Sequence, residues 1–542
     1  MKKWLVLGKL PQNSSADDVI KTLLKNREIK AKDIEEFLSP DLSRITPKSV
    51  GIDLKEFEKS KTRIKKAIKN KEQIVVFGDY DVDGICGSAI IWESLSKGGA
   101  KILPYIPNRI DEGYGLSIKG IENLLVKLPE TKLIITVDNG IVAKPAVDFA
   151  SQKGIDVIIT DHHAPGSELP KAYSIIHTTK LCGAAVGWML VREFSVIEDH
   201  LSLTALASIA DLVPLVGPSR IITKLGLLNL RESKRIGLVE LFRECRLVQK
   251  EIGVYEVGHI IAPRLNAMGR LESAMDSLRL LCTTNRGRAH ELARKLGSTN
   301  LERQNLTEQA VFHAIRQVKS QTELGKLLFI SHETYQQGVI GLVAGKLVEQ
   351  YYLPSIVVSK GDIYSKASAR SIMGFNIIEF IRKASDLLVD AGGHPMAAGF
   401  TVETTKIELV EKKLQEIALK EVTKKLLTQT LKIDCELPSD LLSFDLYSKL
   451  VALEPFGMGN PNPVFTSKGL VIEDVKAVGQ GEKHLKFKLR SNDVLFDAIG
   501  FNMGNKSSEL KIGTKVSVAY NLSADSWNGN KRLQLKLKDI KS

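Results

Sequence analysis

The sequence predicts an α/β protein in which a long helix joins two α/β domains and a small β-barrel follows them. Short apolar runs, many of them β-branched, alternate with helical patterns over residues 74–160, which is typical of a parallel sheet, and a second α/β pattern begins near residue 327. Residues 286–319 carry a long polar pattern of mixed charge that suits a helix bridging two domains. Five short alternating runs after residue 468 predict the strands of a small barrel.

A chain of 542 residues is too long for one domain, and the changes in pattern divide it into successive parts. We expect a helical lead-in, a first α/β domain, a helical connector, a second α/β domain and the barrel. Their predicted bounds are residues 1–45, 46–220, 221–322, 323–430 and 431–542.

The composition is that of an ordinary globular protein, with 43% hydrophobic and 26% charged residues. No apolar run is long enough to span a bilayer, and the first residues become polar too soon for a signal peptide, so we expect a cytoplasmic protein without a membrane partner. A net charge of +13 favours a polyanionic partner. The scattered cysteines, with no Cys-x-x-Cys pair, predict reduced thiols: Cys86, Cys182, Cys245, Cys282 and Cys435.

The first predicted strand, residues 74–77, runs directly into Asp79, Asp81 and Asp83 and then Gly84. Alternating carboxylates just past a strand can converge on one point, where they repel each other unless a cation lies between them. Oxygen-rich clusters of this kind suit Mg²⁺ or Mn²⁺. The alternatives are a solvent-facing acidic loop and a calcium loop. No glutamate follows at calcium-loop spacing, and a strand rather than a helix precedes the motif.

Two more predicted strands end in polar motifs. Residues 133–137 are followed by Asp138-Asn139-Gly140, and residues 156–160 by Asp161-His162-His163. Because the carboxyl ends of parallel strands meet at one edge of a sheet, we expect the three motifs to converge there. The convergence is a stronger signal than any one motif alone.

Asp211 is the single charge in the apolar stretch 203–215. A carboxylate without compensation in such surroundings is costly, so we expect Asp211 to be paired or to bind a metal. Capping of a helix end is the competing explanation.

These carboxylates and an imidazole fit two Mn²⁺ or Mg²⁺ ions better than a structural zinc. Two ions about 4 Å apart can generate a hydroxide nucleophile and clamp both oxygens of a phosphoryl displacement. Asp138 is the predicted bridging ligand, because its strand should lie between the other two. Adjacent histidines diverge at a strand end, so one of His162 and His163 should bind metal while the other contacts the phosphoryl oxygen or assists the leaving group. Asp161 should orient its neighbours.

Two features nearer the C-terminus favour a nucleic-acid partner. The pair Gly392-Gly393 lets the backbone approach a phosphate closely, although a tight turn is what the glycines alone favour. Residues 484–490 and 532–538 alternate apolar side chains with mostly basic ones. This alternation fits either a solvated basic sheet face or the single-strand groove of an OB-type barrel.

The metal-site motifs, at residues 78–84, 137–140, 161–163 and 210–211, resemble the four motifs of the DHH phosphoesterase superfamily. Residues 107–115, 263–270 and 392–394 are similar to motifs of its members that degrade single-stranded DNA from the 5′ end. The resemblance implies a DHH domain, a DHH-associated domain and an OB-like barrel.

The same resemblance implies Mn²⁺- or Mg²⁺-dependent hydrolysis of single-stranded DNA to 5′-mononucleotides in recombination and repair. It places metal ligands at six positions: Asp79, Asp81, Asp83, Asp138, His162 and Asp211. It places His163 at the scissile phosphate, so that His163 and Asp138 are the predicted catalytic residues. Substrate contacts are implied at the following residues: Arg109, Arg264, Arg270, Arg370, Gly392, Gly393 and His394.

Single-stranded DNA is the implied partner, with a single-strand-binding protein and a helicase as candidate protein partners. Cleavage polarity and the preference for DNA over RNA rest on the resemblance alone. Two alternatives remain at this point. One is a phosphodiesterase of the same superfamily that acts on oligonucleotides or cyclic dinucleotides, and the other is an inactive DNA-binding protein of the same fold.

Overall fold

The computed structural model describes residues 2–11, 13–109, 111–527 and 530–542. The N-terminal segment begins with a strand, β1 (Lys3–Gly8), and continues with the short helices α1 (Ala16–Asn26), α2 (Ile34–Leu38) and α3 (Pro47–Val50). Ser15 caps α1 through a reciprocal pair of hydrogen bonds with Asp18. The helical lead-in expected over residues 1–45 therefore contains a strand at its start, which the prediction did not include. Strand β1 pairs with residues 430–435, and a partner so distant in sequence leaves no local signal.

The first α/β domain has an all-parallel sheet with helices against it. Its elements are α4 (Leu54–Lys69), β2 (Gln73–Gly78), α5 (Val82–Lys97), β3 (Ile102–Tyr105), α6 (Ile118–Lys127), β4 (Thr131–Val137), α7 (Lys144–Gln152), β5 (Asp156–Asp161), β6 (Ser174–His177), α8 (Gly183–Val191) and α9 (His200–Ala210). The strand order is β3-β2-β4-β5-β6, so β4 lies between β2 and β5 as predicted. The edge strand β6 was missed, because its four residues carry too short a pattern.

The connector consists of helices and contains the longest element that the structure describes. It comprises α10 (Gly217–Glu232), α11 (Ile236–Glu244), α12 (Val254–Glu256), a π-helical turn at Val257–Ile261, α13 (Ala262–Leu271), α14 (Met275–Cys282) and α15 (Arg286–Lys319). The bounds of α15 agree with the predicted helix. Asn285 caps it by accepting a hydrogen bond from the Arg288 amide, and buried alanines such as Ala289 and Ala293 let it pack closely on the connector.

The second α/β domain has a mixed sheet in the order β10-β11-β9-β8-β7, in which only β7 and β8 run parallel. Its elements are β7 (Leu328–His332), α16 (Ile340–Tyr351), β8 (Ser355–Ser359), β9 (Tyr364–Arg370), α17 (Ile377–Arg382), β10 (Asp390–His394), β11 (Ala397–Glu403), α18 (Ile407–Glu421) and α19 (Lys424–Leu427). Gly393 and His394 end β10 at a tight turn into β11, which agrees with the turn that the glycines favoured.

The C-terminal domain contains β12 (Thr430–Glu436), α20 (Phe444–Val451), β13 (Phe465–Val478), β14 (His484–Ser491), β15 (Val494–Gly500), β16 (Lys515–Trp527) and β17 (Asn530–Lys541). Pairing of β13 with both β14 and β16 closes the last five strands into a barrel. On β14 the apolar side chains at 485, 487 and 489 are buried while the basic ones at 486, 488 and 490 are exposed, which confirms the alternation read from the sequence.

The hydrophobic core of the barrel continues into the N-terminal segment. Val19 and Leu23 of α1 belong to the same buried cluster as Phe465 and Tyr520 of the barrel. The two ends of the chain therefore fold together. All five cysteines are free thiols, as predicted, and no helix in the described ranges has the length and apolar character needed to cross a bilayer.

Candidate functional site

The carboxyl ends of β2, β4 and β5 lie side by side, and each strand delivers an acidic residue to the same edge of the sheet. Asp79 follows β2, Asp138 follows β4, and Asp161 is the last residue of β5. All three side chains are buried, at 1–2% exposure. The predicted convergence of the three motifs at one edge is thus present in the fold.

Asp81 and Asp83 are held by helix ends rather than by the strand. Asp81 caps α5, where its Oδ1 accepts hydrogen bonds from the amides of Asp83 at 2.9 Å and Gly84 at 3.1 Å. The carboxylate of Asp83 accepts hydrogen bonds from the amides of Gly183 at 2.7 Å and Ala184 at 2.6 Å, at the start of α8. Two helix N-termini therefore fix the directions in which these carboxylates point.

Asp138 adopts a left-handed backbone conformation, with φ at 61°. Such a φ is uncommon for a residue with a side chain, although aspartate tolerates it better than most. Asn139 stabilises the turn by donating hydrogen bonds from Nδ2 to the carbonyls of Phe77 at 3.1 Å and Val137 at 2.8 Å. Gly183 passes so close that a Cβ there would lie 2.6 Å from the Cβ of Asp138. This crowding requires glycine at position 183.

The imidazole of His162 reaches the carboxylates of three different elements. Its Nε2 lies 3.0 Å from Asp138 Oδ1, 3.4 Å from Asp211 Oδ2 and 3.6 Å from Asp83 Oδ2. Three buried atoms here have no hydrogen-bond partner within the described part of the chain: Asp79 Oδ1, Asp138 Oδ1 and His162 Nε2. Lone pairs that are buried, close together and unpartnered fit a divalent cation.

The metal-binding atoms form three overlapping groups, in each of which the ligand atoms lie within 4.8 Å of one another. The groups are Asp79 with Asp81 and Asp138, Asp83 with His162 and Asp211, and Asp138 with His162 and His163. Every residue of the predicted metal set belongs to at least one group. Asp138 and His162 are each common to two of them, and of the two only the carboxylate of Asp138 has two oxygens with which to bridge a pair of ions.

Burial and mutual repulsion raise the pKa values of these carboxyls. The pKa of Asp83 rises to about 7 and that of Asp211 to about 8, in both cases because of burial first and a neighbouring aspartate second. The pKa values of Asp79 and Asp138 are raised well above the ordinary range for the same reasons. Four acids in one pocket cannot all ionise without a cation.

The two histidines are held in different protonation states. Burial, followed by the charge of His163, lowers the pKa of His162 to about 4 and leaves its imidazole neutral, the form that binds metals. Burial opposes protonation of His163 as well, but the hydrogen bond to Asp161 and the surrounding carboxylates outweigh it and raise its pKa to about 9. His163 is therefore cationic at neutral pH.

Asp161 positions both histidines, as the sequence predicted. Its Oδ1 lies 2.8 Å from His163 Nδ1 and accepts hydrogen bonds from the amides of His162 at 2.7 Å and His163 at 3.1 Å. Its Oδ2 accepts a hydrogen bond from the Ile141 amide at 2.9 Å. A fully used carboxylate of this kind orients its neighbours and has little capacity left for a metal.

A cleft of about 490 Å³ lies beside this centre, between the first domain, the connector and the second domain. Arg109, Arg270 and Arg370 line it together with Gly393. Burial, followed by the charges of Arg109, Arg303 and Arg370, lowers the pKa of Arg270 to about 10. Guanidinium groups that repel each other in a half-buried cleft favour an anionic ligand.

The structure does not bring every predicted substrate residue to this cleft. The Nη1 of Arg264 donates to the Ile260 carbonyl at 2.8 Å, on its own helical segment, and Arg264 is not among the cleft-lining residues. Gly392 faces open space, where an added Cβ would meet no atom within 4 Å. His394 instead reaches the metal centre, where its ring stacks on that of His163 with the centroids 6.1 Å apart.

Sequence reasoning missed several residues that shape the site. Tyr80 lies under the Arg109 guanidinium, 5.1 Å from it, and the Tyr114 hydroxyl lies 3.2 Å from His163 Nε2. Both tyrosines lie inside motifs already singled out, so their positions were a usable signal. Asn266 accepts a hydrogen bond from the Val82 amide at 3.0 Å. Nothing in the local sequence marks Gly183, because its role depends on α8 meeting Asp138.

Three family models match the chain in the order of its domains. The N-terminal domain of the DHH family matches residues 73–213, the DHHA1 domain matches 324–423, and the RecJ OB domain matches 433–539. The fold prediction, including the OB-type barrel, is confirmed.

Curated relatives extend this similarity over most of the chain. The single-stranded-DNA-specific exonuclease RecJ of Thermus thermophilus is 30% identical over 92% of this chain and 72% of its own length. The chain belongs to the RecJ family. The RecJ of Bacillus subtilis is 35% identical over 90% of this chain, which spans 63% of that longer relative. The crystal structure of Thermus thermophilus RecJ in complex with Mn²⁺ is 28% identical and has a TM-score of 0.84, covering 100% of this chain and 79% of that one.

Proposed function

We propose that this member of the RecJ family is a metal-dependent exonuclease that hydrolyses single-stranded DNA from the 5′ end to 5′-mononucleotides, in DNA recombination and repair. The observation that carries the proposal is a buried cluster of unpartnered carboxylate and imidazole atoms next to an arginine-lined cleft. The curated relatives from Bacillus subtilis and Thermus thermophilus are both named as exonucleases specific for single-stranded DNA.

Two Mn²⁺ or Mg²⁺ ions fit the donor set, because hard carboxylate oxygens dominate it and one neutral imidazole completes it. Solved structures of Thermus thermophilus RecJ hold Mn²⁺ in one case and Mg²⁺ in another. When bound, such ions neutralise charge on the phosphoryl group and lower the pKa of water. The residues proposed to hold them are Asp79, Asp81, Asp83, Asp138, His162 and Asp211.

His163 is the proposed contact to the scissile phosphate. Asp161 fixes its ring through Nδ1 and favours the protonated form, so that Nε2 can donate a hydrogen bond to a phosphoryl oxygen or a proton to the leaving oxygen. The Tyr114 hydroxyl lies 3.2 Å from His163 Nε2, and the His394 ring lies nearly parallel to that of His163 with the centroids 6.1 Å apart. Placing a cationic donor beside the reacting phosphate stabilises charge that grows in the transition state.

The arginine cleft is the proposed site for the phosphate at the strand end, held by Arg109, Arg270 and Arg370. The exposed basic residues of β14 would hold the strand further from its end, because a charged sheet face tracks a phosphate backbone. An exonuclease that acts only on single strands needs duplex DNA to be unwound first, and it meets single strands that binding proteins already cover. We therefore propose a helicase and a single-strand-binding protein as partners, in the cytoplasm.

The deciding experiment uses a long single-stranded DNA labelled at either end, with Mn²⁺ or with a chelator, and the Asp138→Asn variant as the matched control. We expect metal-dependent release of the 5′ label as a mononucleotide by the wild-type protein alone. Faster cleavage of a dinucleotide than of the long strand would favour the phosphodiesterase alternative. Strand binding without hydrolysis by the wild-type protein would favour the inactive DNA-binding protein.

A further inference from the structure

Strand β1 forms one edge of the sheet that includes the barrel, and among the described strands it pairs only with β12. The Lys3 amide donates to the Gln429 carbonyl at 2.8 Å, so the backbone groups of residues 3, 5 and 7 point toward β12. The backbone groups of Trp4 and Val6 alternate with these and point to the open side. Strand β1 therefore offers a row of donors and acceptors with which a further strand can pair.

The side chains of β1 leave both of its faces open to solvent. Leu5, Val6 and Leu7 are 44%, 43% and 47% exposed. Consecutive residues of a strand point to opposite faces, so apolar surface is accessible on each face as well as along the edge. Proteins protect such an edge with charged residues, proline or a covering segment, and residues 4–8 contain neither charge nor proline.

Six lysines surround this edge and form no ion pair within the described ranges: Lys2, Lys3, Lys432, Lys536, Lys538 and Lys541. In the parallel pair Leu5 lies beside Lys432, which makes Lys3 and Lys432 diagonal neighbours on one face. On the other face Lys541 Nζ lies 4.5 Å from the centre of the Trp4 ring. Positive charge therefore borders both faces of the exposed strand.

The acids of the neighbouring strands do not neutralise these lysines. Strands β12 and β17 contain three acids, and each has a partner elsewhere in the protein. The pairs are Arg27 with Asp434, Trp4 and Lys506 with Asp539, and Lys468 with Glu436. Burial, followed by the charges of Lys2 and Lys536, lowers the pKa of Lys538. The lysines repel each other and remain available to an acidic partner.

The end of β1 borders a groove of about 1010 Å³. Its lining includes Val6, Leu10 and Pro438, which are all at least partly exposed. The charged residues of the lining balance each other, with Lys9 and Lys468 against Glu436 and Asp440. The groove thus provides room for apolar side chains next to the strand.

We infer that β1 is a docking strand, which binds an extended segment of another protein in which acidic residues alternate with apolar ones. The segment would pair with the backbone of Trp4 and Val6, place its apolar side chains against Leu5 and Leu7, and direct its acids to the lysines of the opposite face. A second copy of this chain is disfavoured, because it would bring like charges together. A nucleic acid would use the lysines but neither the strand edge nor the leucines.

The test is the fluorescence anisotropy of short labelled peptides titrated with the full chain. One peptide alternates valine with glutamate, and two controls replace the glutamates by glutamine or by lysine. We expect saturable binding of the glutamate peptide, with a Kd at least about tenfold below that of the glutamine peptide, and no binding of the lysine peptide.

Val6→Pro is the variant that tests the strand edge. It removes an amide that points to the open side and leaves the pairing with β12, a position in which edge strands tolerate proline. The Kd of the glutamate peptide should rise by at least about tenfold, because hydrogen bonds to the added strand are lost. Val6→Thr, which keeps the amide, is the matched control and should bind as the wild-type protein does. Hydrolysis of single-stranded DNA should be the same in both variants.

A variant with Lys3→Glu and Lys432→Glu tests the charge and keeps the inference testable if Val6→Pro fails to fold. It should lose the glutamate peptide and gain the lysine peptide. Equal binding of the three peptides, no binding of the glutamate peptide, or binding that neither variant weakens would overturn the inference. Displacement of the glutamate peptide by oligothymidylate in Val6→Pro as in the wild-type protein would assign the surface to nucleic acid. Dimerisation that Val6→Pro abolishes would assign it to a second copy.

Discussion

Two buried clusters of charge, one at the strand ends of the first domain and one between its helices and the connector, differ in whether their charges are paired. At the metal centre, carboxylates face each other and a neutral imidazole, and the pKa of Asp83 rises to about 7. In the second cluster, Arg235 donates hydrogen bonds to the Glu93 carboxylate from Nη1 at 2.7 Å and from Nη2 at 2.9 Å. His200 Nε2 lies 2.8 Å from Glu93 Oε2. Burial raises the pKa of Glu93, but these hydrogen bonds outweigh it and lower the value to about 2.

Burial is therefore common to both clusters, and the counterion decides the outcome. Glu93 has its cation within the fold and stabilises the packing of helices. At the strand ends Asp161 is paired with the cationic His163, whereas the pKa values of Asp79 and Asp138 stay raised, so the fold retains a site that an external cation can complete. This difference separates a structural ion network from a functional one, and the following substitutions test it.

The largest effect is expected from Asp138→Asn, which removes the carboxylate shared by two of the metal groups. Hydrolysis of single-stranded DNA should fall by at least about a thousandfold, because residues that act as a unit fail together. Binding of the strand, measured by fluorescence anisotropy, should change by no more than a few fold. Turnover near the wild-type rate would remove Asp138 from the catalytic centre.

In the paired cluster, Glu93→Gln should destabilise the protein by about 3 kcal/mol, because it leaves the buried Arg235 without its full partner. Urea unfolding measures the change. The control is Glu130→Gln, since Glu130 is 77% exposed in its pair with Lys101 and its loss should change the unfolding free energy little.

The destabilisation caused by Glu93→Gln should depend on pH. The pKa of Glu93 is lower in the folded protein, at about 2, than its ordinary value of 4.5. Its contribution is therefore present above pH 4.5 and is lost as the pH falls toward 2. The stability difference between the wild-type protein and Glu93→Gln should shrink over that interval. A constant difference would show that Glu93 acts through packing rather than charge.

Addition of Mn²⁺ to the chelated protein should stabilise it by about 2.7 kcal/mol when the ion is at 100 times its Kd. The same addition should have little effect on Asp138→Asn. Without metal, the pKa of Asp83 is raised to about 7 and that of Asp211 to about 8, from an ordinary value of 3.8. The folded protein therefore binds more protons than the unfolded chain, and its stability should fall as the pH rises from about 4 to about 8. Mn²⁺ should abolish this fall, and a persistent fall in saturating Mn²⁺ would contradict the assignment.

The smallest effect is expected in the cleft. Arg370→Gln should raise the KM for a 5′-phosphorylated strand by about tenfold, because one charge-assisted contact is lost. Arg264→Gln is the matched control, since Arg264 binds a carbonyl of its own helical segment and does not line the cleft. The control should leave KM unchanged, and equal effects of the two substitutions would place Arg264 on the substrate path.

Much of the fold followed from local patterns. We could predict the strands β2, β4 and β5 from their apolar runs and the helix α15 from its long polar pattern. Each of these patterns is a property of neighbouring residues in the sequence, so no knowledge of distant partners was needed. The edge strands β1 and β6 were missed, since such short segments become strands through their partners.

The acidic centre was visible in the sequence itself, because each acid lies directly beside a strand end and parallel strands bring their ends together. The paired state of a charge was not visible, because it depends on side chains from distant segments. Arg264 and Arg370 were both implied as substrate contacts by the resemblance, yet of the two only Arg370 lines the cleft. Arg27 and Arg220 line one cavity, yet only Arg27 meets a carboxylate, from Asp434. The spacing of residues in the sequence determined the strands and the position of the acids at their ends. Contacts between distant segments determined which charged side chains are paired within the protein and which remain unpaired.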